Sequence, residues 1–199
     1  MKTYTILPKN KELDWSNIPV AKIDTRLWTP EVDITAAAQV CYDDEALYVR
    51  LTAKESDIRA EENGPLGTPC VDSCMEFFFS PMLDDNRYFN FEFNPQKCMY
   101  LGLRTSRNNA FRVLPKSDSI FNVSSLRTSD GWEITYQVPF SFIRMFFKDF
   151  VAFPGKKMRA NFYKCGEKTI QEHYFSWNPV DSVTPDFHRP EFFGELIFG

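Results

Sequence analysis

The chain has 199 residues, a formal net charge of −4 and a mixture of acidic and basic side chains. Proteins that bind nucleic acid or an anionic membrane surface normally carry a basic stripe, so this charge balance argues against both partners. The length favours one domain over residues 1–199, able to bury roughly 70% of its unfolded surface without disulfides or metals. The cysteines are odd in number and lack Cys-x-x-Cys spacing, which argues against a disulfide framework.

The N-terminal segment, "MKTYTILPKNKELDW", has an early lysine but no apolar run long enough for a signal peptide or a membrane span. We therefore expect a cytoplasmic protein, or an extracellular one if the sequence is a domain excised from a longer chain.

Short runs rich in aromatic and β-branched residues, bounded by Asp, Asn, Pro or Gly, recur along the chain and predict strands. In chain order they are "AAQVCYD", "DEALYVRLTA", "SCMEFFFSP", "RYFNFEFNP", "CMYLGLRT", "WEITYQVP", "MRANFYKC" and "FFGELIFG". One helical pattern occurs from Pro139 to Phe150, where Phe142, Met145 and Phe146 share a face. The pattern predicts an all-β, antiparallel sandwich, immunoglobulin-like or jelly-roll-like, with one short helix.

The third and fourth runs read as a hairpin around "PMLDDN". Because side chains alternate across a strand, the phenylalanines at 77, 79, 89, 91 and 93 are expected to face the core. The opposite face then gathers a polar patch of two acids and two amides. Its members are Glu76, Asn90, Glu92 and Asn94.

Two interpretations of this patch remain open. It is either a solvated outer sheet face, or a binding surface in which the paired carboxylates are kept for a ligand. Carboxylates and amides suit the vicinal hydroxyls of a sugar, and aromatic rings stack on its apolar face. Trp177 and Tyr163 are candidate rings, although a tryptophan in a sandwich is more often core. The other tryptophans, Trp15, Trp28 and Trp132, are expected to be structural.

An ordered set of motifs resembles the family 9 carbohydrate-binding modules. The set comprises "DDEALYVRLTAKESDI", "VDSCMEFFFSP", "YFNFEFNP", "DGWEITYQVPFSFI", "MRANFYKC", "FSWNP" and "HRPEFFGELIF", from about Asp43 to Phe198. The resemblance implies a non-catalytic β-sandwich that binds mono- or oligosaccharides of the glucan or xylan type. In that family the sugar lies between two tryptophans, near a Glu, an Arg and an Asn. The resemblance also implies that a structural calcium site is possible, with no other cofactor expected.

By this resemblance, Glu76 corresponds to the acid that contacts the sugar, and Asn90 and Glu92 lie on the strand that supplies further polar contacts. Trp177 resembles one wall of the aromatic clamp, which is the pair of tryptophans that encloses the sugar in the family. The second wall falls near Pro69 and Cys70, where no tryptophan occurs. Tyr163 completes the main set of candidate ligand-binding residues. Four further candidates are Asn94, Asn161, His188 and Arg189, and for the last two the sequence favours a role in holding the turn before the last strand over a role as rim ligands.

The same residues are compatible with other functions. Glu76 and Glu92 could serve a retaining glycosidase if they lay roughly 5 Å apart, and Cys70, Cys74, Cys98 and His188 offer a weak zinc set. Met99 and His188 could ligate haem, as in related sandwiches. The main alternative to sugar binding is a protein-interaction or structural domain whose sugar site is degenerate. No metal site is assigned from the sequence.

Overall fold

The computed structural model describes residues 1–199, apart from the side chain of Asp118. The described chain forms fourteen strands and one α-helix. The strands are β1 (Thr3–Pro8), β2 (Ala21–Lys22), β3 (Thr25–Leu27), β4 (Thr35–Tyr42), β5 (Ala46–Lys54), β6 (Cys74–Ser80), β7 (Tyr88–Phe93), β8 (Met99–Arg104), β9 (Ala110–Arg112), β10 (Ser124–Arg127), β11 (Gly131–Pro139), β12 (Lys157–Gly166), β13 (His173–Ser176) and β14 (Gly194–Phe198). The helix is α1 (Phe140–Phe146).

The eight predicted strands are confirmed as β4, β5, β6, β7, β8, β11, β12 and β14. The prediction misses the other six. Five of these have two to four residues, too few for an alternating pattern of apolar and polar residues to be recognised. The sixth, β1, does alternate, with Tyr4 and Ile6 buried and their neighbours Thr3 and Thr5 exposed.

The strands form a curled sheet whose two ends fold over as facing layers. The first layer has the order β10-β11-β5-β4, and the second has the order β14-β12-β6-β7-β8-β9. Strand β1 joins them, since Thr3–Ile6 pair with β14 and Leu7–Pro8 pair with β4. Both pairings are parallel. The fold is therefore mostly β and mixed, and the antiparallel prediction is not confirmed, because residue alternation carries no information about strand direction.

The predicted core face of the β6–β7 hairpin is confirmed. Phe77, Phe79 and Phe91 are fully buried between the two layers, and the hairpin pairs Phe77 with Phe91. The Phe91 ring stacks on Tyr136 of β11 in the opposite layer, with ring centroids 5.7 Å apart. Large rings from both layers thus fix the inner face, so a one-residue slip of either strand would expose the whole set.

The outer face of the second layer is also buried. A separate apolar cluster covers β6, β7 and β12 there, and it includes Phe78, Tyr88 and Tyr163 from the strands and Phe187 and Phe193 from the C-terminal segment. The sequence predicts that this face is either exposed to solvent or forms a binding site. The stretch before β14 covers part of it, and a cleft remains beside this cover.

The predicted helix is confirmed but is shorter, ending at Phe146. Phe142 and Ile143 are buried, Phe146 packs against Phe142 at 5.4 Å, and Met145 is 75% exposed. The side of the helix that faces the core centres on Ile143 and Phe146. The prediction that Met145 belongs to this side is wrong, because the Met145 side chain projects from the helix outside it.

Among the described residues, no helix has the combined length and apolarity that crossing a membrane requires.

Truncating the inner aromatic rows should destabilise the protein strongly. Phe77→Ala and Phe91→Ala should each lower the free energy of unfolding by about 3–5 kcal/mol, because each leaves a cavity between the layers. Phe111→Ala, at a ring that is 74% exposed, is the matched control and should change it by less than about 0.5 kcal/mol. Urea unfolding of the three variants measures this, and equal losses at all three sites would contradict the assignment of the core.

Candidate binding cleft

A small cleft of about 190 Å³ opens on the outer face of the second layer. Its floor includes Glu76 of β6 and Glu92 of β7, and its rim comes from several loops. The other lining residues are Trp28, Thr68, Cys70, Tyr100, Arg104, Arg107, Cys165, Glu167, Tyr174, Pro185, Asp186, Phe187 and His188.

Four side chains form one transverse row across this part of the sheet. Strand register places Tyr163, Glu76, Glu92 and Tyr100 opposite one another on β12, β6, β7 and β8. The two carboxylates are therefore nearest cross-strand neighbours on the same face. Glu76 is only 2% exposed and Glu92 only 6%, so the sequence-predicted pairing of these acids is present at the bottom of the cleft.

The environment of this carboxylate pair favours protonation. Burial raises the pKa of Glu76 well above 4.5, and the nearby Glu92 raises it further. Burial also raises the pKa of Glu92, although the amide of Asn90, which donates to Glu92 Oε1 at 2.6 Å, opposes that shift. Two adjacent buried carboxyl groups cost stability, which argues against the interpretation of this patch as a solvated outer face.

Arg104 of β8 brings a positive charge to the same cleft. Its Nε donates to Asn90 Oδ1 at 3.0 Å and its Nη2 donates to the Tyr100 hydroxyl at 2.8 Å. Gly102 makes this possible, since a Cβ there would overlap Asn90 Oδ1 and crowd Arg104 Nε. Tyr100 and Arg104 were not predicted, although extending the alternation of β7 across "CMYLGLRT" places both on the face of Glu92.

Trp28 contributes a half-buried aromatic ring to the rim. Its backbone is left-handed, with φ of 55°, and its indole N–H donates to the Ser182 carbonyl at 2.6 Å. Such a conformation costs a bulky residue on the order of 1–3 kcal/mol. The indole hydrogen bond holds the ring at the rim of the cleft. The ring also packs against Tyr174 and Phe187, with centroids 5.6 Å away in each case, so Trp28 has the expected packing role and also lines the cleft.

His188 lies in the segment that covers the outer face. Its ring stacks on Phe78 at 5.0 Å, and its Nδ1 lies 3.1 Å from the Tyr88 hydroxyl. Burial, reinforced by the charges of Arg104 and Arg107, lowers the pKa of His188 to about 3. A neutral His188 therefore lines the cleft and also holds the covering segment.

Three of the other predicted site residues serve neighbouring structure. Asn90 supports Glu92 and Arg104, as described. Asn94 donates to the Glu62 carbonyl and to Asp72, both at 2.8 Å, and so ties two loops together. Asn161 donates to the Asn178 carbonyl at 2.9 Å and accepts from the Asn178 N–H at 2.9 Å.

The remaining predicted residues lie away from the cleft lining. The Tyr163 ring is stacked on Phe187 at 4.1 Å, beneath the cover. Arg189 pairs with Glu191 at 2.7 Å. Trp177 is 4% exposed and packs in the core between the layers, with its ring 5.6 Å from Phe162. Its position does not support the predicted role as a clamp wall.

The segment predicted to carry the second wall of the aromatic clamp, near Pro69 and Cys70, does line the cleft. Thr68 and Cys70, on either side of Pro69, line it without an aromatic ring. The aromatic rings at the site come instead from Trp28, Tyr100, Tyr174, Phe187 and His188, all of which lie far from that stretch in sequence.

The two alternative ligand sets are not brought together. Cys98 lies in another turn, with its thiol 3.6 Å from the Gly64 carbonyl, away from the cleft lined by Cys70 and His188. Met99 packs against the inner core while His188 is on the outer face, which does not suit haem ligation by this pair.

Replacing one acid of the buried pair should stabilise the protein in a pH-dependent way. The folded state holds a proton on Glu76 to a higher pH than the unfolded chain does, so stability falls as pH rises above 4.5 towards the raised pKa. Glu76→Gln removes that loss, and its gain should be small at pH 5 and about 1–3 kcal/mol at pH 8.

Chemical unfolding at several pH values measures this gain, with the exposed acid in Glu45→Gln as control. A Glu76→Gln variant that loses stability equally at pH 5 and pH 8 would show that the carboxylate is not penalised by its surroundings.

Comparison with known proteins agrees with this architecture. A family model described as "Carbohydrate-binding family 9" matches residues 6–198, whereas a search of curated proteins found no significant match. A Bacteroides uniformis structure described as a candidate carbohydrate-binding protein is similar, with 24% identity and a TM-score of 0.84, over 100% of this chain and 99% of that one.

Two solved family 9 modules from Caldicellulosiruptor kristjanssonii are also similar. The one in complex with glucose has 15% identity and a TM-score of 0.69, over 100% of this chain and 96% of that one. The one in complex with cellotriose has 17% identity and a TM-score of 0.66, over 99% and 93% of the two chains. At these identities the structural likeness establishes the fold. The family match over nearly the whole chain, with the fold it shares, places this chain in carbohydrate-binding family 9.

Proposed function

We propose that the cleft binds the terminal unit of a glucan- or xylan-type saccharide without catalysis. The observation that carries this proposal is the convergence of the two buried carboxyl groups of Glu76 and Glu92, the guanidinium of Arg104 and half-buried aromatic rings on one small cavity. These are the groups that accept from sugar hydroxyls, donate to them and cover the apolar face of a sugar ring.

The size of the cleft favours a single sugar unit. At about 190 Å³ it is smaller than the roughly 300–1,000 Å³ typical of drug-sized ligands. One pyranose ring therefore occupies the cleft, and the remaining units of an oligosaccharide extend out of the cleft opening. The similar modules solved with glucose and with cellotriose support this reading.

Each group has a distinct task in the proposed complex. Trp28 and Tyr100 are the half-exposed rings of the lining and provide the stacking surface. Arg104, already oriented by Asn90 and Tyr100, donates to a ring or hydroxyl oxygen. Glu92, whose second oxygen is not used by Asn90, accepts from a hydroxyl. These contacts orient the sugar and offset the cost of burying the acids.

The paired acids do not make the protein a hydrolase. Membership of a carbohydrate-binding family indicates binding, and the buried carboxyl pair is the floor of that binding site. Calcium remains a prediction from the family resemblance, so binding is best compared with and without a chelator.

Removing the Trp28 ring should weaken sugar binding. Trp28→Ala should lower the affinity for glucose or cellotriose by about 30-fold or more, equivalent to about 2 kcal/mol, since it removes a stacking surface. Glu92→Gln should lower it by about tenfold at pH 8, above the raised Glu92 pKa of about 7, because a charged hydrogen bond becomes a neutral one of similar shape.

Titration calorimetry against glucose, cellotriose and xylotriose measures both effects. Trp15→Ala is the matched control, because Trp15 is also half-buried but lies outside the cleft, and it should bind as the parent does. A parent protein that binds none of these sugars, or a folded Trp28→Ala that binds as tightly as Trp15→Ala, would overturn the proposal and favour the interaction-domain alternative.

A further inference from the structure

Two thiols lie directly against the carboxyl group of Glu76. Cys74 and Glu76 are two residues apart on β6 and therefore share a face, and Cys165 is the cross-strand partner of Cys74 on β12. The Cys165 Sγ is 3.1 Å from Glu76 Oε1 and the Cys74 Sγ is 3.8 Å from the same oxygen. All three ligand atoms lie within 4.8 Å of one another.

This spacing is close to that of a tetrahedral zinc site. Zinc binds thiolate sulfur at about 2.3 Å and carboxylate oxygen at about 2.0–2.2 Å, so neighbouring ligand atoms lie about 3.6–3.8 Å apart. Shifts of less than about 1 Å would bring the three atoms onto one ion. Because all three side chains stand on paired strands rather than on loops, they are held close to that arrangement.

The Glu76 carboxyl group also lacks a positive partner. Across the described side chains, the only hydrogen bonds to it come from the thiols of Cys74 and Cys165, which are weak donors. Arg104 is directed to Asn90 and Tyr100 instead. A buried carboxyl group with two thiols and no cation is suited either to staying protonated or to sharing a metal ion.

We propose that Cys74, Cys165 and Glu76 form a site for a thiophilic divalent cation such as Zn²⁺, with the fourth coordination position open to the cleft. Glu76 and Cys165 line the cleft themselves, which provides the entry path and the space for a water ligand. This set differs from the weak zinc set of Cys70, Cys74, Cys98 and His188 suggested by the sequence, because only Cys74 belongs to both.

The charge balance is favourable for a dication. Binding replaces the two thiol protons and any carboxyl proton, all of which leave to solvent, so the three ligands together carry three negative charges. The two positive charges of the bound ion reduce the net negative charge of the site from three to one. The protein then gains a counter-charge inside a region that otherwise holds two adjacent carboxyl groups, Glu76 and Glu92.

Metal titration of the reduced protein tests the site. The wild-type protein, in a non-thiol reductant, should bind one Zn²⁺ per chain in competition with a chromogenic chelator. Bound Co²⁺ should show thiolate-to-metal charge-transfer absorption and the intense visible bands of a tetrahedral site. Cys74→Ser and Cys165→Ser should each weaken zinc binding by about 100-fold or more.

Cys98→Ser is the matched control, because Cys98 is also a buried thiol but lies outside the cluster, with its Sγ 3.6 Å from the Gly64 carbonyl, and this variant should bind zinc as the parent does. Zinc binding that is absent in the parent, or that survives both Cys74→Ser and Cys165→Ser, overturns the proposal. A Co²⁺ spectrum without thiolate bands also overturns it, even if a serine variant fails to fold.

The sugar site can be tested separately. Cys74 does not line the cleft, so in the presence of a chelator Cys74→Ser should bind sugar as the parent does. Loss of zinc binding with retained sugar binding supports the metal site. A parent that binds zinc but no sugar would overturn only the proposed function.

Discussion

The burial of Glu76 beside Glu92 is the interaction on which the rest of the outer face depends. The two carboxyl groups are cross-strand neighbours, nearly inaccessible to solvent, and their pKa values are raised by burial. Hydrophobic or neutral residues of similar volume would be more stable at these positions. The presence of two acids at these positions is explained if both contact a ligand. The surrounding hydrogen-bond donors and aromatic rings indicate that this ligand is a sugar.

The strands that carry these acids are made rigid by what lies behind them. On the inner face, Phe77 and Phe91 pack against the first layer and lock the register of β6 and β7. A register error would move the carboxylates into the phenylalanine core, at a large cost in free energy. The inner core therefore positions the acids, while the covering segment around Phe187 and His188 removes them from water. The same rigidity holds Cys74 and Cys165 against Glu76.

The sequence was informative wherever the signal was local and repeated. Alternation along β6 and β7 correctly assigned the phenylalanines to the core and the acids to the other face, because both strands are long enough to show the period. The same reasoning applied to β8 would have found Tyr100 and Arg104. It could not show that the outer face is covered, since the covering segment lies about a hundred residues away and has no periodic pattern.

The tryptophans show where such reasoning stops. Trp177 resembled a clamp residue by its motif, yet the hydrogen bonds between Asn161 and Asn178 hold its segment with the ring turned into the core. Trp28 had no motif, and its place in the cleft depends on a left-handed backbone and a bond to Ser182. Both outcomes were set by tertiary contacts that a single sequence does not display.

The most direct test of this account is a crystal structure of the protein with bound cellotriose. The account predicts the terminal glucose ring in the cleft, against the ring of Trp28 or Tyr100, with hydroxyls within hydrogen-bonding distance of Glu92 and Arg104. A saccharide bound at a different place, such as the separate cavity of about 440 Å³ lined by Gly64, Met99 and Val123, would contradict it, and the buried acids would then need another explanation.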